Sequence, residues 1–179
     1  MRKESRRMAL CGILAGLGAM IMLLGGVIPL ATFACPAFAC ISLIPIREEY
    51  GIKWTLATYV VIAVISLMLS PDKESALLFA FLGWYPAAQP AIDRLPQKPA
   101  RILIKLACFN VACGAMMLLI VYVLDLRYIY QEYLEMGRAL LVVYVLLCNV
   151  TMLLFDVMLG RMCVLYHKRL RAKLFRGVL

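Results

Sequence analysis

The stretch MALCGILAGLGAMIMLLGGVIPLATFACPAFACISLIPI, residues 8–46, contains no charged side chain. As a single α-helix these 39 residues would be about 58 Å long, about twice the ~30 Å hydrocarbon thickness of a bilayer. Pro29 and Pro36 lie inside the stretch, and proline ends or kinks a helix. The stretch therefore predicts two membrane segments joined by a tight turn.

The composition of the whole chain also indicates a membrane protein. Of the 179 residues, 65% are hydrophobic and 16% are charged, whereas soluble domains are about 45–50% apolar and about 25% charged. The net charge of +9 lies between and beyond the apolar segments, which favours anionic lipid headgroups over nucleic acid as the partner. The length suffices for one membrane domain, 1–179, without a second soluble domain.

Polar links divide the chain into six predicted transmembrane helices. Their approximate bounds are 8–28, 32–46, 54–69, 76–92, 102–124 and 139–165, with a basic head at 1–7 and a basic tail at 166–179. The first apolar segment is longer than the core of a secretory signal, so we expect it to be retained as a helix. The second contains Pro36 and Pro45, so we expect part of it to be irregular or re-entrant.

The distribution of Lys and Arg predicts the orientation of these helices. With the N-terminus inside, the inside segments hold four of these residues in the head, two at 47–53, four at 94–105 and six from Arg161 onward. The outside segments hold only Lys73, Arg127 and Arg138. Because positive charge accumulates on the cytoplasmic side, the sequence predicts an all-α, six-helix bundle in the cell membrane with both termini cytoplasmic.

One acidic residue, Asp156, lies deep inside a predicted span, where an ionisable group is costly. Arg161 on the same helix and Lys105 on the fifth helix are its predicted partners at similar depth. Two interpretations stay open. The group is either a structural ion pair that joins the fifth and sixth helices or a residue that couples or gates a movement.

The sequence gives little support for enzyme chemistry. Glu48 and Glu49, followed by Lys53, resemble the EExxxR signature of CAAX-type intramembrane proteases, but those enzymes also need intramembrane histidines. The single histidine, His167, lies in the predicted basic tail. The seven cysteines form no CxxC pair and suit roles as small apolar side chains. We therefore expect no catalytic residues, no cofactor and no histidine-dependent metal site.

A resemblance appears when the spans and the first helix are taken together. Six spans, 179 residues, cytoplasmic ends and a first helix with small side chains are similar to the substrate-binding S component of energy-coupling-factor transporters. In that family an AxxxA motif on the first helix docks on a transmembrane coupling subunit, which works with ATPase subunits. Ala15 and Ala19 match the motif, and Gly12 and Gly16 extend the small-residue spacing. We expect this docking face to be exposed to lipid.

The same resemblance implies a small-molecule substrate near the outer face, held by the fourth to sixth helices. It would place Trp84, Tyr122, Tyr144 and Asn149 at the ligand. From the residues alone, a hydrogen bond of Asn149 to a neighbouring helix is favoured over one to a ligand, because asparagine in a helix bundle more often joins helices. Two other functions remain open. One is a membrane scaffold that resembles the rod-shape-determining six-span subunit, and the other is a self-standing small transporter.

Overall fold

The computed structural model describes residues 2–25, 34–122 and 137–171, and within these ranges it is helical without a β-strand. The elements are α1 (Arg2–Gly25), α2 (Ala34–Tyr50), α3 (Ile52–Leu69), α4 (Lys73–Leu82), α5 (Tyr85–Asp93), α6 (Lys98–Tyr122) and α7 (Gly137–Leu165), and a π-helical turn (Tyr166–Leu170) continues α7. The all-α prediction is confirmed for these residues.

Within the described residues, four helices are long and apolar enough, by length and composition, to cross a membrane. The candidate spans are Glu4–Gly25, Ile52–Leu69, Pro99–Met116 and Val145–Arg169. They correspond to the first, third, fifth and sixth spans predicted from the sequence. Large apolar side chains such as Ile13 and Met68 are exposed on these helices, as expected for a protein that faces lipid. The structure is therefore compatible with a membrane protein.

The second predicted span differs from the expectation of irregular backbone. Between residues 34 and 50, α2 is one continuous helix. Pro36 lies in the first turn, where backbone N–H groups have no partner within the helix, so it costs little there. The helix also runs on through the polar residues after Pro45 and ends at Tyr50. Gly51, with φ +81°, then separates α2 from α3 by a single residue.

The fourth predicted span consists of two short helices, α4 and α5, separated by a turn at Gly83 and Trp84. Pro86 cannot donate the backbone hydrogen bond that would continue α4. A Cβ at Gly83 would lie 2.8 Å from the Tyr59 ring and 2.6 Å from the Phe79 carbonyl oxygen. The Tyr59 hydroxyl also donates to the Ala80 carbonyl oxygen, near the end of α4. The close packing of α3 therefore requires glycine at the break.

The chain forms two compact units, one of 1–91 with 157–179 and one of 92–156. In unit 1, α1 packs on α2 and α3, and α4 packs on α2 and α3. The core of unit 1 includes fully buried Met22, Leu43 and Phe79. In unit 2, side chains of α6 and of α7 up to Asp156 are joined by hydrogen bonds and an ion pair.

Candidate functional site

Charged and polar side chains of α2 and of the end of α7 with its helical continuation meet at the C-terminal end of α2. We call this group the α2-end network, and its members are Arg47, Glu48, Glu49, Cys163, Tyr166, His167 and Arg171. The first three belong to the last turn of α2, and the others belong to the end of α7 and the helical residues that follow it.

Arg47 is the member that joins the helices. Its side chain is only 9% exposed, and the guanidinium donates from Nη1 to the Pro86 carbonyl oxygen at 2.8 Å. That oxygen has no helical donor because Pro90, four residues later, lacks an N–H. Arg47 Nη2 also lies 3.2 Å from Cys163 Sγ. One side chain thus connects the end of α2 with α5 and α7.

Glu48 uses its two carboxylate oxygens for different partners. Oε1 accepts a hydrogen bond from Arg47 Nε at 2.9 Å and lies 3.5 Å from Cys163 Sγ. Oε2 lies 2.7 Å from His167 Nε2. Burial raises the pKa of the Glu48 carboxyl, but the hydrogen bonds from Arg47 and His167 more than offset it, so the pKa is lowered. Glu48 is therefore a carboxylate at neutral pH.

Glu49 is held by the same terminal segment. Its Oε1 accepts from the Tyr166 hydroxyl at 3.2 Å and lies 2.9 Å from Arg171 Nε. Glu48 and Glu49 occupy the C-terminal end of α2, where the helix dipole is negative and acidic groups are unfavourable. The positive charges of Arg47 and Arg171 compensate for this position.

Glu48, Cys163 and His167 also form a set of metal-ligating groups. One ligand atom from each lies within 4.8 Å of the other two. Cys163 and His167 are four residues apart, which places them on one side of a helix. The sequence predicts no metal site that uses histidine, because the single histidine, His167, belongs to the predicted basic tail and no intramembrane histidine is present. The structure places this residue in helix, beside a carboxylate 119 positions earlier.

The predicted docking residues divide between two faces of α1. Ala15 and Ala19 are 7% and 6% exposed, so the expectation that they face lipid is wrong. Small side chains on this inner face allow α2 and α3 to approach closely. A Cβ at the adjacent Gly18 would lie only 2.7 Å from the Ile62 side chain. Gly12 and Gly16, in contrast, are exposed and face open space.

The structure brings Lys105 and Asp156 together in unit 2. Lys105 Nζ lies 2.8 and 2.7 Å from the two carboxylate oxygens of Asp156. It also lies 2.6 Å from Asp93 Oδ1, a partner that the sequence analysis missed because it assigned Asp93 to a connecting link. The third predicted member, Arg161, is exposed and belongs to unit 1. Lys105 is buried and pairs with both carboxylates within unit 2, and a role in coupling a movement stays a prediction.

The four predicted substrate residues do not form a described cluster. Asn149 Oδ1 accepts from Asn110 Nδ2 at 2.8 Å, and this amide pair joins α6 to α7. Trp84 is half-buried in unit 1, and its Nε1 donates to a carbonyl oxygen of α4. The side chains of Tyr122 and Tyr144 lie outside the described part of the structure. A substrate role for these residues stays a prediction.

Comparison with known proteins gives no relative from which a function could be transferred. The chain matches no protein-family model, no curated protein and no solved structure. A function for this chain can therefore be inferred only from its own helices, charges and side-chain geometry.

Proposed function

We propose that the chain is a non-enzymatic, membrane-embedded subunit of the energy-coupling-factor type. In this proposal it captures a vitamin-like or other small molecule from outside and passes it to a transmembrane coupling subunit driven by ATPase subunits. The observation that carries the proposal is the outward face of α1. Gly12 and Gly16 lie at its centre, and apolar side chains such as Ile13 and Met20 are exposed beside them.

No hydrophobic force draws two helices together in a bilayer, so association depends on close packing of small residues. Glycine inside a helix costs about 1 kcal/mol relative to alanine. Neither Gly12 nor Gly16 gains a close contact within the described structure in return. A partner helix packed on this face would supply that contact.

Substitution of the exposed glycines tests the docking face without disturbing the interior of unit 1. A Cβ added at Gly16 meets nothing within 4 Å, so Gly16→Leu should leave the melting temperature unchanged and should weaken association with the coupling subunit. The matched control is Gly114→Leu on α6, which also meets open space but has no glycine four residues away. Native mass spectrometry of complexes extracted from membranes measures the bound subunits.

The outcomes separate the proposal from its alternatives. Loss of the coupling subunit in Gly16→Leu but not in Gly114→Leu supports docking through α1, and equal retention in both contradicts it. A stable partner combined with no thermal stabilisation by a panel of vitamins would indicate a scaffold. Transport into liposomes by the purified chain alone would indicate a self-standing transporter.

A further inference from the structure

We propose that Glu48, Cys163 and His167 form a zinc-binding site that fastens the end of α2 to the end of α7. The site lies within unit 1 and does not include the outward face of α1. It would therefore act in addition to the proposed docking function and does not depend on it.

The geometry of the three groups suits a tetrahedral metal. Zinc binds sulfur at about 2.3 Å and nitrogen or oxygen at about 2.0–2.2 Å, so ligand atoms in such a site are about 3.3–3.6 Å apart. One ligand atom from each of the three residues lies within 4.8 Å of the other two, and Glu48 Oε2 lies 2.7 Å from His167 Nε2. An outward movement of less than about 1 Å between Oε2 and Nε2 would admit the ion. That movement is available because the His167 side chain is 44% exposed.

The helices position the three side chains for metal binding. Cys163 and His167 have the i, i+4 spacing that places two metal ligands on one side of a helix. The π-helical turn begins between them, at Tyr166, and such turns occur frequently at functional sites. Arg47 holds Glu48 through Oε1, which fixes the carboxylate and leaves Oε2 directed at the imidazole.

The charge around the site is compatible with a bound cation. Zinc would bind Cys163 as a thiolate, and that thiolate together with the carboxylates of Glu48 and Glu49 would carry three negative charges, against two positive charges on Arg47 and Arg171. A divalent ion compensates the remaining negative charge and the negative end of the α2 dipole. The ion would bind Cys163 with release of the thiol proton to solvent, and it would bind neutral His167 through Nε2 with the ring N–H on Nδ1, with no change of oxidation state.

The ligand types favour zinc over the hard divalent cations. Magnesium and calcium prefer sites made only of oxygen, whereas thiolate and imidazole select softer transition metals. Three protein ligands leave a fourth position on zinc for a water molecule. The exposed edge of His167 gives solvent access to that position.

Cobalt spectroscopy and metal analysis test the site directly. The full-length protein is purified with an affinity tag that contains no histidine, because His167 is the only histidine in the chain. Addition of Co²⁺ should produce a thiolate-to-metal charge-transfer band, and addition of Zn²⁺ should remove it. Zn²⁺ should also raise the melting temperature, with one ion bound per chain.

Two pairs of variants assign the ligands. Cys163→Ser should abolish the charge-transfer band, whereas Cys108→Ser, at another partly buried cysteine, should retain it. Glu48→Gln should weaken zinc by more than the roughly 10- to 100-fold expected for an outer-shell partner, whereas Glu49→Gln should have a smaller effect. A variant that does not fold is replaced by His167→Gln, whose side chain is the most exposed of the three.

Three results would overturn the proposal. One is wild-type protein that shows no charge-transfer band with Co²⁺ and no thermal shift with Zn²⁺. Another is a band that persists in Cys163→Ser, which would assign the thiolate to one of the other six cysteines. The third is equal zinc affinity in Glu48→Gln and the wild type. The wild-type spectrum alone decides the first case, so the proposal does not depend on the folding of any variant.

Discussion

At the scale of single residues, Arg47 illustrates how a defect in one helix is compensated by another. Pro90 leaves the Pro86 carbonyl oxygen without a helical donor, and the Arg47 guanidinium supplies one from α2. The same group pairs with Glu48, so its loss would leave a carboxylate and a carbonyl without their donor. A partly buried polar group that loses its hydrogen-bond partner costs more free energy than a formed hydrogen bond contributes to stability.

We predict that Arg47→Met destabilises the protein by about 3 kcal/mol, because it removes one partner of a largely buried ion pair. Arg101→Met is the matched control. Arg101 pairs with Asp93 at 3.9 Å and both side chains are partly exposed, so its loss should cost less than about 1 kcal/mol. Thermal unfolding of both variants in the same detergent measures the difference. Equal destabilisation by the two substitutions would contradict the role given to Arg47.

At the scale of helices, the break between α4 and α5 is set by packing as well as by proline. Pro86 removes one backbone donor, but a kinked continuous helix could also accommodate it. The ring of Tyr59 from α3 leaves no room for a Cβ at residue 83, and the Tyr59 hydroxyl donates a hydrogen bond to the carbonyl oxygen of Ala80. The turn is therefore held in place by α3.

We predict opposite effects for the same substitution at two glycines. Gly83→Ala places a methyl group against the Phe79 backbone and the Tyr59 ring, which should destabilise the protein by about 1–3 kcal/mol. Gly114→Ala meets open space in α6 and should be neutral or stabilising by up to about 1 kcal/mol. Melting temperatures measured in parallel test both signs. Similar melting temperatures for the two variants would show that the Tyr59 ring does not exclude a side chain at residue 83.

The long helices could be predicted from the sequence, because an uninterrupted apolar segment has few alternative structures. The end of α2 could not be predicted, because the polar residues 47–50 have the composition of a link between helices. Polarity marks the edge of the apolar region, whereas the helix continues until Gly51, where φ is positive. The pairing of Lys105 with Asp156 followed from the cost of a buried charge. The contact of Glu48 with His167 depends on packing between distant segments, and no local pattern indicates it.

At the scale of the molecule, unit 1 brings three charged segments to one end. The Arg7 guanidinium lies 4.9 Å from the centre of the Trp54 ring, which places the start of α1 beside the junction of α2 and α3. The contact of His167 with Glu48 places the end of α7 beside the same junction. The start of α1 and the end of α7 therefore meet at one end of unit 1, whereas the side of the membrane that they face stays a prediction from the distribution of Lys and Arg.

We predict that single cysteines at positions 7 and 168, Arg7→Cys and Lys168→Cys, are labelled from the same side of the membrane. The positive-inside rule makes that side cytoplasmic, so a membrane-impermeant maleimide should label both only after permeabilisation. Lys98→Cys should behave likewise, whereas Lys73→Cys and Arg127→Cys should be labelled in intact cells. All variants are made in a background without the native cysteines.

The pattern of labelling distinguishes an error in the orientation from an error in the fold. Labelling of positions 7 and 168 from outside would reverse the orientation but leave unit 1 intact. Labelling of these two positions from opposite sides cannot be reconciled with the contacts of Arg7 and His167 at one junction. Labelling of position 98 from outside while position 7 stays inside would instead exclude the six-span arrangement, because an even number of crossings must separate two positions on one side.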